Sequence, residues 1–166
     1  MADNTRQQLI GQLQLQPHVE GGYFRRTYAS GLPLETAQGP RPAVTSIFYL
    51  LTSEQPRGRI HCNRSDILHY WHLGGPLRYY LIHPDGQLQT AVLGPDLSAG
   101  QQLQLLVPGG VWKATELVTG DFGLLSEAVT PGFDFADMTL GEFTVLQQQF
   151  PQHQALLERF TPRPDP

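Results

Sequence analysis

Turn-forming glycines and prolines recur along the whole chain with only short apolar runs between them, and this rhythm constrains the fold more than any other feature. The 166 residues include 17 glycines and 14 prolines, spread along the chain rather than gathered in one linker. Between them lie runs rich in β-branched and aromatic residues: Tyr23–Tyr28, Val44–Leu51, Arg59–Asn63, Ile67–Leu73, Leu77–His83, Gln87–Leu93, Gln102–Val107, Val111–Leu117 and Phe122–Val129. Short strands at such spacing predict an all-β sandwich or barrel. A closed jelly roll suits the pattern, because it leaves a central cavity and few exposed edges. Pro84-Asp85-Gly86 is a turn with a mechanism, since proline presets φ and glycine tolerates the positive φ that follows.

Helices are expected only at the ends. Asn4 or Thr5 caps the first, which carries Leu9, Ile10 and Leu13 on one stripe and stops at Pro17. Thr139 caps a C-terminal helix with Phe143, Leu146 and Phe150 on one side, and Gln152–Phe160 forms another. Gly31–Pro42 reads as a surface loop, Pro131–Asp137 as an irregular segment, and Thr161–Pro166 as a frayed tail. No linker divides the chain, so a single domain is expected, its core near residues 17–138 and its C-terminal helices near 139–160.

Charge and thiol content exclude several function classes. The formal net charge is −4, and the 11 basic residues are scattered, so no nucleic-acid footprint is present. Lys113 is the only lysine and Cys62 the only cysteine, which rules out an intramolecular disulfide. No apolar run approaches the roughly 18 residues needed to span a bilayer. The N-terminal stretch Met1–Gln14 lacks the apolar core of a signal peptide. The expectation is a soluble, cytoplasmic protein whose partner is a small molecule, not nucleic acid or membrane.

The densest chemistry lies in Arg57–His72, where three of the six histidines fall. Alternate residues of a strand share a face. Arg59, His61 and Asn63 therefore point one way, His69 lies on one face of the next run, and Tyr70 and His72 lie on the other. If the two runs pair as neighbouring strands, His61 and Asn63 converge with one of these sets. A pocket lined by convergent polar groups among aromatics is the usual form of a ligand site. Two histidines two apart on a strand would make a metal pincer, but here the second position is Asn63. Beyond Pro108-Gly109-Gly110, Trp112 and Lys113 take opposite faces. A lysine that enters a barrel would act as base or anion holder. Val19-Glu20-Gly21-Gly22-Tyr23 reads as an arm with some site-facing residues, and Phe133 and Phe135 as packing groups that could also cover a barrel mouth.

The strings P-H-V-E-G-G-Y-F-R-R-T-Y, T-S-I-F-Y-L-L, H-x-N-x-x-D, V-P-G-G-V-W-K-A and P-G-F-D-F-A-D occur in order from about Leu9 to Phe160. They resemble the DUF985 family of cupins. The resemblance implies a cupin double-stranded β-helix with short terminal helices, and a homodimer. Exposed aromatic strands at Tyr23–Tyr28 and Leu77–Leu81 are the expected contacts of such a dimer. The metal-ligand positions of the wider superfamily fall on His61, Asn63, Ile67 and Lys113, so one of the four keeps a usual ligand. No cofactor is therefore predicted.

Arg57-Gly58-Arg59-Ile60-His61 is also similar to an R-G-x-x-H string of cupin epimerases that act on dTDP-4-keto sugars. That similarity implies His61 as base, Tyr70 or Tyr23 as acid, and Lys113 or Arg59 holding an enolate oxygen. Asn63, His69 and Trp112 are the further expected ligand contacts. The leading expectation is a metal-free isomerase or epimerase on a keto sugar or similar polar metabolite. The alternatives are a ligand-binding or sensory module without turnover, and a metal-dependent enzyme with His61, His69 and His72 as ligands.

Overall fold

The computed structural model describes residues 2–162. Its strands are β1 (Gln16–Pro17), β2 (Tyr23–Ala29), β3 (Pro33–Thr36), β4 (Gly39–Pro42), β5 (Thr45–Thr52), β6 (Arg57–Asn63), β7 (Asp66–Gly74), β8 (Leu77–Ile82), β9 (Leu88–Leu93), β10 (Gln104–Val107), β11 (Trp112–Leu117), β12 (Phe122–Thr130) and β13 (Met138–Leu140). The α-helices are α1 (Ala2–Gln12), α2 (Phe143–Gln149) and α3 (Gln154–Phe160). One sheet runs β1-β2-β5-β12-β7-β10, the other β13-β6-β11-β8-β9, and β3-β4 is a separate hairpin. From β5 to β7 and from β10 to β13 the chain crosses between the sheets at every step. That alternation builds the jelly roll expected from the turn rhythm.

Side-chain alternation explains the layers. Tyr49 and Leu51 of one sheet meet Leu77, Tyr79, Leu81 and Leu93 of the other in the largest apolar cluster. Each fully buried leucine contributes roughly 1.5–3 kcal/mol. The opposite phase of the second sheet, Ile60, Ile82 and Ala114, is covered by Leu146 and Phe150, with Leu157 and Phe160 of α3. The opposite phase of the first sheet, Leu50 and Leu124, packs on Leu15, with Ile10 and Leu13 alongside. The terminal helices are thus covers for sheet faces, which is why a short apolar stripe suffices for the first. Among the described residues no helix is long and apolar enough to cross a membrane.

Several expectations change. Gly31–Pro42 is not an open loop but holds the β3-β4 hairpin, with Leu34 opposite Arg41. Asn4 and Thr5 lie inside α1, and Thr139 lies in β13 opposite Cys62, so none of the three is a helix cap. Leu77–Leu81 is an interior segment, since β8 is flanked by β11 and β9 and both leucines are buried. Its outward-facing residues, Arg78 and Tyr80, are half-buried. Of the tail, Thr161 is buried and donates its hydroxyl to the Leu157 carbonyl at 2.7 Å, while residues 163–166 lie outside the described residues. Most consequentially, β6 and β7 do not pair with each other. They belong to facing sheets, so His61 and His69 approach across the interior and not along one ladder.

Candidate functional site

A cavity of about 280 Å³ opens at one end of the sandwich. β6 supplies His61 and Asn63, β12 supplies Glu127 and Val129, and β7 supplies Ile67. The arm before β2 adds His18 and Glu20, and β2 itself adds Phe24 and Arg26. Phe133, Asp134 and Phe135 complete the wall.

The arm is placed by two glycines. Gly21 and Gly22 have φ of +96° and +72°, a region open to glycine and strained for other residues. A Cβ on Gly21 would lie 2.5 Å from the Arg57 carbonyl oxygen, and one on Gly22 would lie 2.5 Å from that of Leu50. The close approach lets Tyr49 donate its hydroxyl to the Gly21 carbonyl at 2.9 Å, and Arg59 donate its N–H to the Glu20 carbonyl at 2.6 Å. The Glu20 side chain is thereby held inside the sandwich. Gly22→Ala should cost more than about 1 kcal/mol, because strain and steric overlap act together. Urea unfolding measures it, and an unchanged midpoint would show that the arm tolerates another path.

Two polar groups meet here. In the first, Glu20 Oε2 lies 3.3 Å from His61 Nε2 and 3.8 Å from His18 Nδ1. The His61 Nδ1–H donates to the Arg59 carbonyl at 2.7 Å, which leaves Nε2 as the acceptor facing Glu20. His18 Nδ1 is itself an acceptor, for the Glu20 N–H at 3.0 Å. Burial raises the Glu20 carboxyl to about 8, although the Lys113 charge opposes the shift. Burial, assisted by Lys113, lowers His61 to about 3, and burial also lowers His18. At neutral pH the proton therefore stays on Glu20, which donates it to a neutral His61.

In the second, Lys113 crosses from one sheet to the other. Its Nζ donates to His69 Nε2 at 2.8 Å and lies 3.6 Å from Glu127 Oε1. His69 Nδ1–H points to the Leu105 carbonyl at 3.3 Å, and burial with Lys113 keeps the ring neutral. Burial pushes Glu127 up, but the Lys113 ammonium overrides it and holds the carboxyl well below the usual range. One cavity thus contains a protonated carboxyl and an ionised one.

Phe133 and Phe135 stand at the mouth as an edge-to-face pair, 5.0 Å between centroids. The Arg26 guanidinium lies 5.9 Å from the Phe133 ring and donates to its carbonyl. Arg41 of β4 grips Asp137 through two bonds of 2.7 and 3.1 Å, tying the hairpin to this segment.

The residues expected from the sequence divide three ways. His61 and Asn63 line the cavity, while Lys113 and His69 stand behind it and act on it through Glu127. Arg59 turns toward the Val19 carbonyl at 3.4 Å and is not part of the wall. Tyr23 packs against the outer apolar cluster under Leu15, and Trp112 packs against Phe150 and Phe160 on the other outer side. Tyr70 is opposite Ser126 on the outward phase of β7, so the structure does not bring it to His61. Three groups were not expected as site residues. His18 gave no periodic signal, being outside any strand. Glu20 was read only as part of an arm. Glu127 carried a visible signal, because it sits in phase with Leu125 and Val129, both buried.

The donor set does not fit a metal ion. Of the four superfamily positions, Ile67 has no donor atom, Asn63 is a neutral amide, and Lys113 places a fixed ammonium against His69 and Glu127. The alternative trio also fails to converge. His72 lies on the exposed phase of β7, bonded to the Ser126 hydroxyl at 2.8 Å, while His69 points inward. Among the described residues no group of three or more His, Cys, Asp or Glu side chains is placed to hold a metal.

The chain is similar to known proteins over most of its length. The family described as Cupin superfamily (DUF985) matches residues 7–141. Protein YML079W of Saccharomyces cerevisiae, an uncharacterized protein, is 41% identical over 151 residues, covering 82% of this chain and 75% of its own. A hypothetical protein from Leishmania major superposes with a TM-score of 0.90 at 29% identity, over 95% of this chain and 98% of that one. Protein SO0799 from Shewanella oneidensis gives 0.87 at 35% identity, over 95% and 97% of the two chains. A jelly roll of crossing strands, the motif strings along it and these matches agree that the chain belongs to the DUF985 family of the cupin superfamily.

Proposed function

We propose that the cavity is a site of metal-free proton transfer, and that the protein is an isomerase or epimerase acting next to the carbonyl of a small metabolite. The observation that carries this reading is two carboxyls on one cavity in opposite surroundings, Glu20 against the imidazoles of His61 and His18, and Glu127 against the Lys113 ammonium, which favour a neutral and an ionised carboxyl respectively. Pairs pushed apart in this way assign acid and base roles. The Glu127 carboxylate takes a proton from the carbon beside the carbonyl while Glu20 gives its proton to the carbonyl oxygen, forming an enol. Return of a proton to carbon and of the hydroxyl proton to Glu20 restores the carbonyl, with no oxidant consumed. His61 is a positioning residue for the acid, and Lys113 keeps Glu127 ionised. These roles differ from the sequence expectation, in which His61 was the base. A cavity of about 280 Å³ suits a compound of one ring or a short chain.

The test is solvent exchange. The protein is incubated in deuterium oxide with small ketones and hydroxyketones, and proton NMR follows the carbons beside the carbonyl. The expected result is deuterium entry above the buffer rate for at least one compound. Compounds that bind and never exchange would contradict catalysis and leave a binding module.

A further inference from the structure

We propose that Asn63 determines specificity by accepting a hydrogen bond from a hydroxyl of the ligand, so that the cavity takes a hydroxylated carbonyl compound and not a simple ketone. This rests on the proton-transfer reading for the carbonyl and adds the second functional group. Asn63 Oδ1 is buried and has no hydrogen-bond partner among the described residues, although the side chain lines the cavity. The residue is 8% exposed, so solvent does not replace the missing partner freely. A buried acceptor left unsatisfied is costly, and native structures keep few without a reason. The other polar groups of the cavity are occupied: His61 by Glu20 and the Arg59 carbonyl, His18 by the Glu20 N–H, and Glu127 by Lys113. Asn63 is the exception among them.

Its position fits this role. Asn63 and His61 are two apart on β6 and share the inward face. Their side chains therefore stand roughly 7 Å apart along the strand. One molecule can present a carbonyl to the Glu20–His61 pair and a hydroxyl to Asn63. A hydroxyl suits an amide better than an ammonium does, because it can both donate to Oδ1 and accept from Nδ2. A ligand ammonium would instead seek Glu127, whose charge Lys113 already meets. Phe24, Phe133 and Phe135 add apolar surface for the carbon skeleton.

The test uses saturation-transfer NMR with dihydroxyacetone, erythrulose, xylulose and fructose against cyclohexanone and 2-butanone. The proteins are the wild type, Asn63→Leu and, as a smaller second variant, Asn63→Ala, each checked by thermal melting. The expected result is binding of at least one hydroxylated ketone in preference to both simple ketones. Each variant should weaken that binding about tenfold, the worth of one buried hydrogen bond, and leave the simple ketones unaffected. Asn63→Leu should melt no lower than the wild type, because it removes an unsatisfied acceptor. Equal binding of simple ketones, no loss in folded variants, or no binding of any hydroxylated ketone would overturn the proposal. The two readings fail separately. Binding that depends on Asn63 without deuterium exchange removes the proton transfer alone. Exchange of a hydroxylated ketone, with binding and rate unchanged in Asn63→Leu, removes the hydroxyl contact alone.

Discussion

Replacing Lys113 with methionine should destabilise the protein by about 3–5 kcal/mol in chemical denaturation at neutral pH. The lysine is 3% exposed, and its ammonium is the charge that faces both Glu127 and His69. Methionine fills similar volume, so the loss is electrostatic and not a cavity effect. It leaves an ionised carboxyl in the interior without a countercharge, and an imidazole nitrogen without a donor. The defect should shrink at acid pH, where Glu127 can take a proton once the ammonium is gone. Lys113→Met combined with Glu127→Leu should recover most of the loss, because apolar groups of similar size replace a buried pair with little penalty. A single-variant cost below about 1 kcal/mol would mean that the bridge does not hold the sheets as its geometry indicates.

Replacing Glu20 with glutamine should lower any exchange rate by about 10²- to 10⁴-fold, the usual contribution of a placed general acid. It should also change how stability depends on pH. Glu20 keeps its proton up to about pH 8 in the folded protein, against an ordinary value of 4.5. The folded state thus holds an extra proton between these values, and the contribution of this group falls as pH rises through that window. His18, His61 and His69 act oppositely, because the unfolded chain protonates them below their ordinary 6.5 and the folded protein does not. Above 6.5 their effect is complete, and Glu20 sets the slope among the buried site groups. The wild type should lose about 2 kcal/mol between pH 6.5 and 8, at 1.36 kcal/mol per unit. Glu20→Gln should be nearly flat across that range. Urea unfolding at fixed pH values measures both, and a flat wild-type profile would contradict a protonated Glu20.

The strands were legible because their signals are local. Alternation and turn residues mark β5, β8 and β12 within a residue or two. Alternation also set His61 and Asn63 on one face and Lys113 on the face opposite Trp112, without saying which face is inward; all three are buried. What alternation does not encode is which sheet a strand joins. The spacing allowed β6 and β7 to pair, yet the chain crosses the sandwich at Arg64 and Ser65, so His61 and His69 belong to facing sheets. The same limit hid the link between Lys113 and Glu127, whose strands lie in different sheets. Tyr70 and Trp112 drew attention as polar aromatics, but their phase on the strand faces outward. Glu20 was masked for another reason: its place depends on the positive-φ turn at Gly21 and Gly22, which has no period to read.

The most direct test of the account is the protonation of the two cavity carboxyls. Glutamate labelled with carbon-13 at the carboxyl, titrated by NMR with Glu20→Gln and Glu127→Gln for assignment, reads each group in the intact protein. The account predicts that Glu20 titrates near 8 while Glu127 stays ionised through the acid range in which ordinary carboxyls take up protons. A Glu20 midpoint at the ordinary 4.5, with both carboxyls charged at neutral pH, would contradict it and remove the acid from the proposed chemistry.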